Sequence, residues 1–497
     1  MGRRKLRIFI LLCCLCFSVF PIFSRAQEEP VLTVPILFEK EIPKDINLIT
    51  EAASALVYEA LGFQVKWVPL LFNTSSANMD PLRMSELSYL EKQGIVFDVI
   101  PDTISDASFV PLDDLLAVYG GDILGIVDEE QMALLTRDGV LDRLPSVSDY
   151  VSSLGLTMRK DLVEKYDLDL SQIQDIGDLD AIYEKIQPNE PDLYMVCSYR
   201  TGRGFVGRLT SAAIDVAPVC IRSETEPDIL VNYYATAEYR DMVSDFYRWN
   251  QNGYIPEAHA LQNLTASELV EAGVLFSYFS AYKPGIAAEE SISCGQEMVS
   301  VELMAPIVTQ GSLSSTVHWG ISDTCAYPEK AMEFLNLFYT NQELTNLLIY
   351  GIEGIHYEKQ SDGMIIYPDG MDAATVRYRN TQPWLLPNQF LSYIWAGNSP
   401  DLWEETRQFN ESAAIKDTLY FDFDPSSISG EIAKIREILN TYTYGLEAGQ
   451  LDPEYYLPKM LDEMETAGVQ RVIEETQRQF DLWRKKEQTD EYIACGR

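Results

Sequence analysis
The sequence predicts an α/β protein with several strand groups and a helical C-terminal part, arranged as two lobes that share one chain. Three observations carry this. Residues 31 to 100 alternate strand and helix patterns, four more strand patterns follow among long helices, and the last ~70 residues keep a helical stripe with no strand pattern. The chain has 497 residues, 46% apolar and 23% charged, which is too long for one core and too apolar for a disordered chain.

Val31 to Phe38 (VLTVPILF) reads as a buried strand bounded by Pro30. From Asp45 to Leu61 the apolar residues Ile46, Ile49, Ala53, Leu56 and Ala60 follow a helical period, and Gly62 closes the helix. Gln64 to Val68 alternates as a second strand. A helix near Met84 to Lys92 then leads to a third strand, Ile95 to Ile100. Strand–helix–strand–helix–strand at this spacing implies a parallel, doubly wound sheet. Asp192 to Ser198, Gly273 to Ser280, Glu297 to Met304 and Thr316 to Ser322 are the further strands. Pro328 to Thr340 is an amphipathic helix with Pro in its first turn and Ala331, Phe334, Leu335 and Phe338 on one face. Val469, Val472, Ile473, Thr476, Phe480 and Trp483 form the C-terminal stripe.

Residues 1–26 read as a targeting segment. Arg3, Arg4, Lys5 and Arg7 precede the apolar run Ile8 to Phe23, and Ser24-Arg25-Ala26 places small residues for a signal-peptidase cut. The run is short for a membrane span and contains Pro21. Cys14 follows Cys13, Cys16 follows Leu15, and the apolar run continues past both, so a lipid anchor is the less supported outcome. Cleavage after Ala26 would remove five basic residues and no acidic one from a chain that already has 38 Lys+Arg against 76 Asp+Glu. A surface this acidic repels phosphate backbones and argues against nucleic-acid binding. Cys197, Cys220, Cys294, Cys325 and Cys495 are scattered and show no ligand spacing, as expected of buried thiols.

The catalytic motifs fail one by one. His259, His318 and His356 do not form HExxH, and neither a GxSxG elbow nor a Walker A loop occurs. Asp167/Asp169 and Asp422/Asp424 lack the rest of a calcium loop, so neither metal nor cofactor is expected. Gly202 to Gly207 is a GxGxxG match with Glu224 about 20 residues on. Tyr199 to Thr201 separate it from its strand and Pro218 crowds the next, so a glycine loop at a lobe rim is the better reading. Aromatics are the more useful clue. They make up 11% of the chain, and Trp67, Tyr150, Tyr278, Tyr282, Trp319 and Trp384 sit near strand ends or loops, where rings stack on sugar C–H faces. Trp249, Trp403 and Trp483 lie in helical patterns and are assigned to packing.

VPLDDLLAVYGGDI (Val110 to Ile123), GLTMRKDLVEKYDLDLSQIQDIGDL (Gly155 to Leu179), PEKAMEFLNLFYTNQELTNLLIYGIEGIHYE (Pro328 to Glu358) and PNQFLSYIW (Pro387 to Trp395) occur in that order, followed by the C-terminal helical segment. In these blocks the chain resembles extracellular solute-binding proteins of bacterial ABC importers, in the oligosaccharide-type, lipoprotein-like branch with its own C-terminal region. The resemblance implies a periplasmic-binding-protein-like fold in which each lobe is a doubly wound sheet flanked by helices. The divisions expected are 27–148 for lobe 1, 149–305 for lobe 2, 306–390 for the hinge return and completion of lobe 1, and 391–497 for helices packing on the lobes. It further implies a monomer at the cell surface that closes on an oligosaccharide, hands it to a membrane permease, and breaks no bond in it.

In the family, the loop after the DGxxxxxP turn (here Asp138 to Pro145), the YGIEGIHY loop (Tyr350 to Tyr357) and the WxxxNQF segment (Trp384 to Phe390) approach the cleft. The resemblance therefore points to Tyr150, Tyr282 and Trp384 for stacking and to Glu353 and Asn388 for hydroxyl bonding, with Trp67 and Trp319 behind them. The stretch Ile104 to Phe109 is shorter than in relatives, which leaves the identity of the sugar open. The alternatives are a secreted glycosidase with paired carboxylates in an aromatic cleft, and a binder of another solute such as a peptide.

Overall fold
The computed structural model of the protein describes residues 29–495 except 40, 72–88, 91, 105–107, 128, 137–138, 199–218, 224–225, 227–228, 257–263, 309–315, 416–420 and 422. The targeting segment, the Gly202 to Gly207 match with Glu224, His259 and half of the shortened Ile104 to Phe109 stretch lie outside the described residues.

The chain opens with β1 (Val31–Phe38), α1 (Ile46–Leu61) and β2 (Gln64–Leu71), and β1 and β2 pair in parallel from Val31–Gln64 to Phe38–Leu71. α1 ends where Gly62 turns left-handed and its amide donates to the Tyr58 carbonyl. Its buried stripe is Ile46, Ile49, Ala53 and Val57. The expected Ala60 is exposed, because the fourth contact steps by four residues to Val57 instead of by three to Leu56. β3 (Val99–Pro101), α2 (Asp113–Tyr119), α3 (Glu129–Leu135) and β4 (Arg143–Pro145) follow.

The chain then crosses into the second lobe. There it forms β5 (Ser153–Arg159), α4 (Lys160–Lys165), α5 (Leu179–Ile186), β6 (Tyr194–Ser198), the pair β7 (Cys220–Arg222) and β8 (Leu230–Asn232), α6 (Ala237–Gln251) and α7 (Ala266–Glu271). β9 (Leu275–Tyr282), α8 (Ile286–Cys294) and β10 (Met298–Glu302) complete it. The sheet order is β10-β5-β9-β6, antiparallel except between β6 and β9. The return runs through β11 (Ile307–Val308) to β12 (His318–Ile321), which pairs antiparallel with both β3 and β4.

α9 (Pro328–Thr340) spans the residues expected of it and buries Ala331, Phe334, Leu335 and Phe338 completely. At roughly 1.5–3 kcal/mol for each large side chain, this face is a main tie of lobe 1. α10 (Gln342–Tyr350) and the short pair β13 (Glu358–Lys359) and β14 (Ile365–Ile366) come next. After the 383–391 segment, α11 (Leu402–Ser412) and β15 (Ala414–Ile415) lead into α12 (Ser429–Glu447), α13 (Pro453–Ala467) and α14 (Val469–Cys495).

Two large cores result. One joins residues between Leu32 and Leu144 to residues between Val317 and Leu386. The other joins residues between Leu154 and Leu303 to Ile428, Ile435, Leu446, Met460, Met464, Val472 and Phe480 of the C-terminal part. The C-terminal helices thus complete the second lobe. Gly449 shows how closely they dock, since a Cβ there would lie 2.1 Å from the Phe246 carbonyl oxygen on α6. Among the described residues Cys197, Cys220 and Cys294 are buried free thiols, and burial pushes Cys220 up to about 12. Among the same residues no helix is long and apolar enough to cross a membrane.

Candidate functional site: an aromatic cleft between the lobes
A cleft of about 420 Å³ lies where the lobes face each other. Lobe 1 supplies Arg379, Gln382, Trp384, Tyr393 and Trp395. Lobe 2 supplies Lys283, Glu289 and Ile292, and Asp149 and Trp403 complete the lining between them. Ile292, on α8, is 79% exposed.

Trp384 reaches the cleft because of its local sequence. Pro383 starts a single 3₁₀ turn, Leu385 and Leu386 sink into the lobe 1 core, and the indole is left half-buried against that core at the cleft. Its Nε1 donates to Gln382 Oε1, and Gln382 Nε2 donates at 2.6 Å to a carboxylate oxygen of Glu39, just past the end of β1. The carboxyl ends of strands in open α/β sheets are where ligands gather. Trp395 stands 4.4 Å from Tyr367 and 5.6 Å from Tyr350 between ring centroids. Trp403, on α11, stacks on Phe390 at 5.5 Å and donates its Nε1 to the Ser392 carbonyl.

Charge in the cleft is organised around Lys283. Its ammonium donates to Asp149 Oδ2 at 2.6 Å and lies 3.0 Å from Glu289 Oε1. Burial works against this charge, but Asp149 and Glu289 outweigh it and hold the amine protonated above the ordinary lysine range. Arg379 carries the other positive charge and donates Nη1 to the Tyr367 hydroxyl at 2.6 Å.

The seven residues read from the sequence do not assemble at one place. Trp384 lines the cleft. Tyr150 lines a smaller, neighbouring cavity of about 180 Å³ with Ser146, Phe390, Arg407 and Asn410, while Asp149 beside it faces the cleft. Adjacent residues of an extended crossing segment point to opposite sides. Tyr282 ends β9 with its ring 5.9 Å from Phe409, and burial, then Glu302 and Glu405, push its phenol up. Glu353 is exposed on its loop, 3.9 Å from Lys359.

Three expectations are corrected. Asn388 is 5% exposed, its Nδ2 donates to the Tyr339 carbonyl at 2.9 Å, and its Oδ1 accepts from the Phe390 amide, so the amide serves the backbone. Trp67 packs at 5.8 and 5.7 Å from Phe334 and Phe338 inside lobe 1. Trp319 is 1% exposed, 5.4 Å from Phe338, with its Nε1 on the Leu385 carbonyl. Tyr278, on the aromatic shortlist, is likewise fully buried and donates to Glu290 at 2.6 Å. Trp403, assigned to packing, lines the cleft as well. Trp395, Tyr393, Gln382, Arg379 and Lys283 were not singled out. Trp395 and Tyr393 stand in the PNQFLSYIW block, so a signal for them was present.

A curated relative, a carbohydrate ABC transporter substrate-binding protein of Streptococcus pneumoniae serotype 4 (strain ATCC BAA-334 / TIGR4), is 22% identical over 465 residues covering 92% of each chain. The crystal structure of the N-glycan transport solute binding protein NgtS from Streptococcus pneumoniae matches with a TM-score of 0.72 at 19% identity, covering 92% of this chain and all of that one. The fold is that of the ABC-importer solute-binding proteins. NgtS in complex with Man1GlcNAc and with Man5GlcNAc matches at the same 19% identity with TM-scores of 0.62 and 0.57. The ABC-transporter substrate binding protein FusA of the same organism, in complex with kestose, reaches 0.54 at 16% identity, with coverage of 92% and 100%. A family model described as a domain of unknown function (DUF3502) matches residues 417–485, the segment that docks on lobe 2.

Proposed function
We propose that this protein is the exported solute-binding subunit of an ABC importer and that it captures an oligosaccharide between its lobes. The observation that carries the reading is the cleft, whose lining brings Trp384, Trp395, Trp403 and Tyr393 together with Gln382, Arg379, Lys283 and Glu289. Aromatic walls with a few polar groups suit sugars, whose C–H faces stack while their hydroxyls bond at the edges. A curated relative that bears a carbohydrate-transport name over 92% of both chains supports it.

The mechanism is closure. Contacts from both lobes are complete only when the lobes meet, so the sugar binds the closed form more tightly and shifts the equilibrium toward it. In sequence the chain passes from one core to the other between Leu144 and Leu154, between Leu303 and Val317, and after Leu386, and these passages would serve as the hinge. The closed form would then dock on membrane permease subunits, with the protein held at the bacterial surface after export directed by residues 1–26. In the glycosidase reading, one cleft carboxyl protonates a leaving group while another attacks or activates water. Asp149 and Glu289 instead share one ammonium, an arrangement that suits binding.

Titration calorimetry of residues 27–497 against a panel of neutral and acidic oligosaccharides tests the proposal, with the sugar recovered and analysed afterwards. Saturable 1:1 binding with unchanged sugar is expected. Cleaved sugar, or binding confined to peptides, contradicts it.

A further inference from the structure
Among the described residues Arg379 is a cleft cation of a distinct kind. Acidic residues outnumber basic ones two to one, 76 against 38, and Arg143, Arg159, Arg248, Arg377 and Arg471 each meet a carboxylate. Arg379 is partly buried, lines the cleft, and among the described residues meets no carboxylate, only the Tyr367 hydroxyl. A guanidinium carries five N–H donors in a planar fork, and that bond uses one nitrogen. Lys283 is a different case, because Asp149 and Glu289 already balance it.

The fork is also held in place. Tyr367, which accepts its Nη1, holds its ring 4.4 Å from that of Trp395, a cleft wall, at a tilt of 38°. The cation and an aromatic cleft residue are therefore both contacted by one tyrosine. Guanidinium forks match carboxylates with two parallel hydrogen bonds, which a neutral hydroxyl cannot supply.

We propose that the solute is an acidic oligosaccharide, of the uronate or sialate type, whose carboxylate is bound by Arg379 while a neighbouring ring stacks on Trp395. This rests on the oligosaccharide reading above and names its substrate class. The acidic surface repels such a ligand at long range, but at physiological salt that field is screened beyond ~8 Å, and the nearest charges decide.

The test is an array of oligosaccharides on which each acidic sugar is paired with its carboxyl-reduced neutral counterpart, alongside sulfated and plain neutral sugars. Hits are titrated with wild type, Arg379→Gln and Arg379→Lys at 0.15 M salt. The expected result is binding of carboxylate-bearing sugars about 10- to 100-fold tighter than their reduced counterparts, a difference that Arg379→Gln erases and Arg379→Lys partly keeps. The melting temperature of the unliganded protein should be the same in all three, which separates recognition from folding. Equal or tighter binding of neutral sugars, unaffected by Arg379→Gln, overturns the inference and leaves the oligosaccharide reading standing. Hits confined to sulfated sugars overturn the carboxylate assignment, and no carbohydrate hit of any kind overturns both.

Discussion

Trp384 and Asn388 stand four residues apart and do opposite things. Trp384 lines the cleft, so Trp384→Ala should weaken oligosaccharide binding roughly 10-fold or more, with a smaller loss of stability in the free protein than truncating a fully buried ring would cause. Asn388 holds the Tyr339 carbonyl and the Phe390 amide, so Asn388→Ala should cost about 1–3 kcal/mol in chemical denaturation. Glu447 makes a third case. It is 7% exposed at the end of α12, beside Tyr239, and burial pushes its carboxyl up to about 8. Between pH ~4.5 and ~8 the unfolded chain releases this proton and the folded protein keeps it, so its contribution to stability falls as pH rises and levels off above ~8. Glu447→Gln should therefore gain on wild type from pH 5 to 8, by on the order of 3 kcal/mol, in denaturation curves at each pH. A constant difference across that window contradicts the assignment. Composition announced an aromatic cleft without saying which rings form it. Trp67 was nevertheless decidable, since in QVKWV it alternates in phase with Val65, which is also buried. Asn388 was not, because an amide fits a backbone as well as a sugar hydroxyl.

The elements follow their local signals closely where those signals are strong. Pro at the first turn and four apolar residues on one face fixed α9 at both ends, and the Gly62 stop fixed α1. Strand pairing was less legible. The pattern of lobe 1 led to a parallel sheet, and β1 and β2 obey it, yet β3 pairs antiparallel with β12, which arrives more than 200 residues later. No local period encodes such a partner. The C-terminal helices read correctly as helices, but their docking on lobe 2 depends on distant contacts such as Gly449 against Phe246. With a left-handed backbone and a Cβ that would overlap that carbonyl, Gly449→Ala should destabilise the protein by about 1–3 kcal/mol, seen as a lower denaturation midpoint. Sugar affinity at low temperature should be nearly unchanged, because the cleft lies elsewhere.

Across the whole molecule, the chain passes three times between two separate large cores, the arrangement that hinge closure requires. The cleft between them is lined from both sides, by Trp384 and Trp395 on one lobe and by Lys283 and Glu289 on the other. Small-angle X-ray scattering of the protein, alone and saturated with an oligosaccharide found by titration, tests the central claim most directly. A smaller radius of gyration on saturation, lost again when the sugar is dialysed away, is the result predicted here. A bound sugar that leaves the scattering curve unchanged would contradict capture by closure.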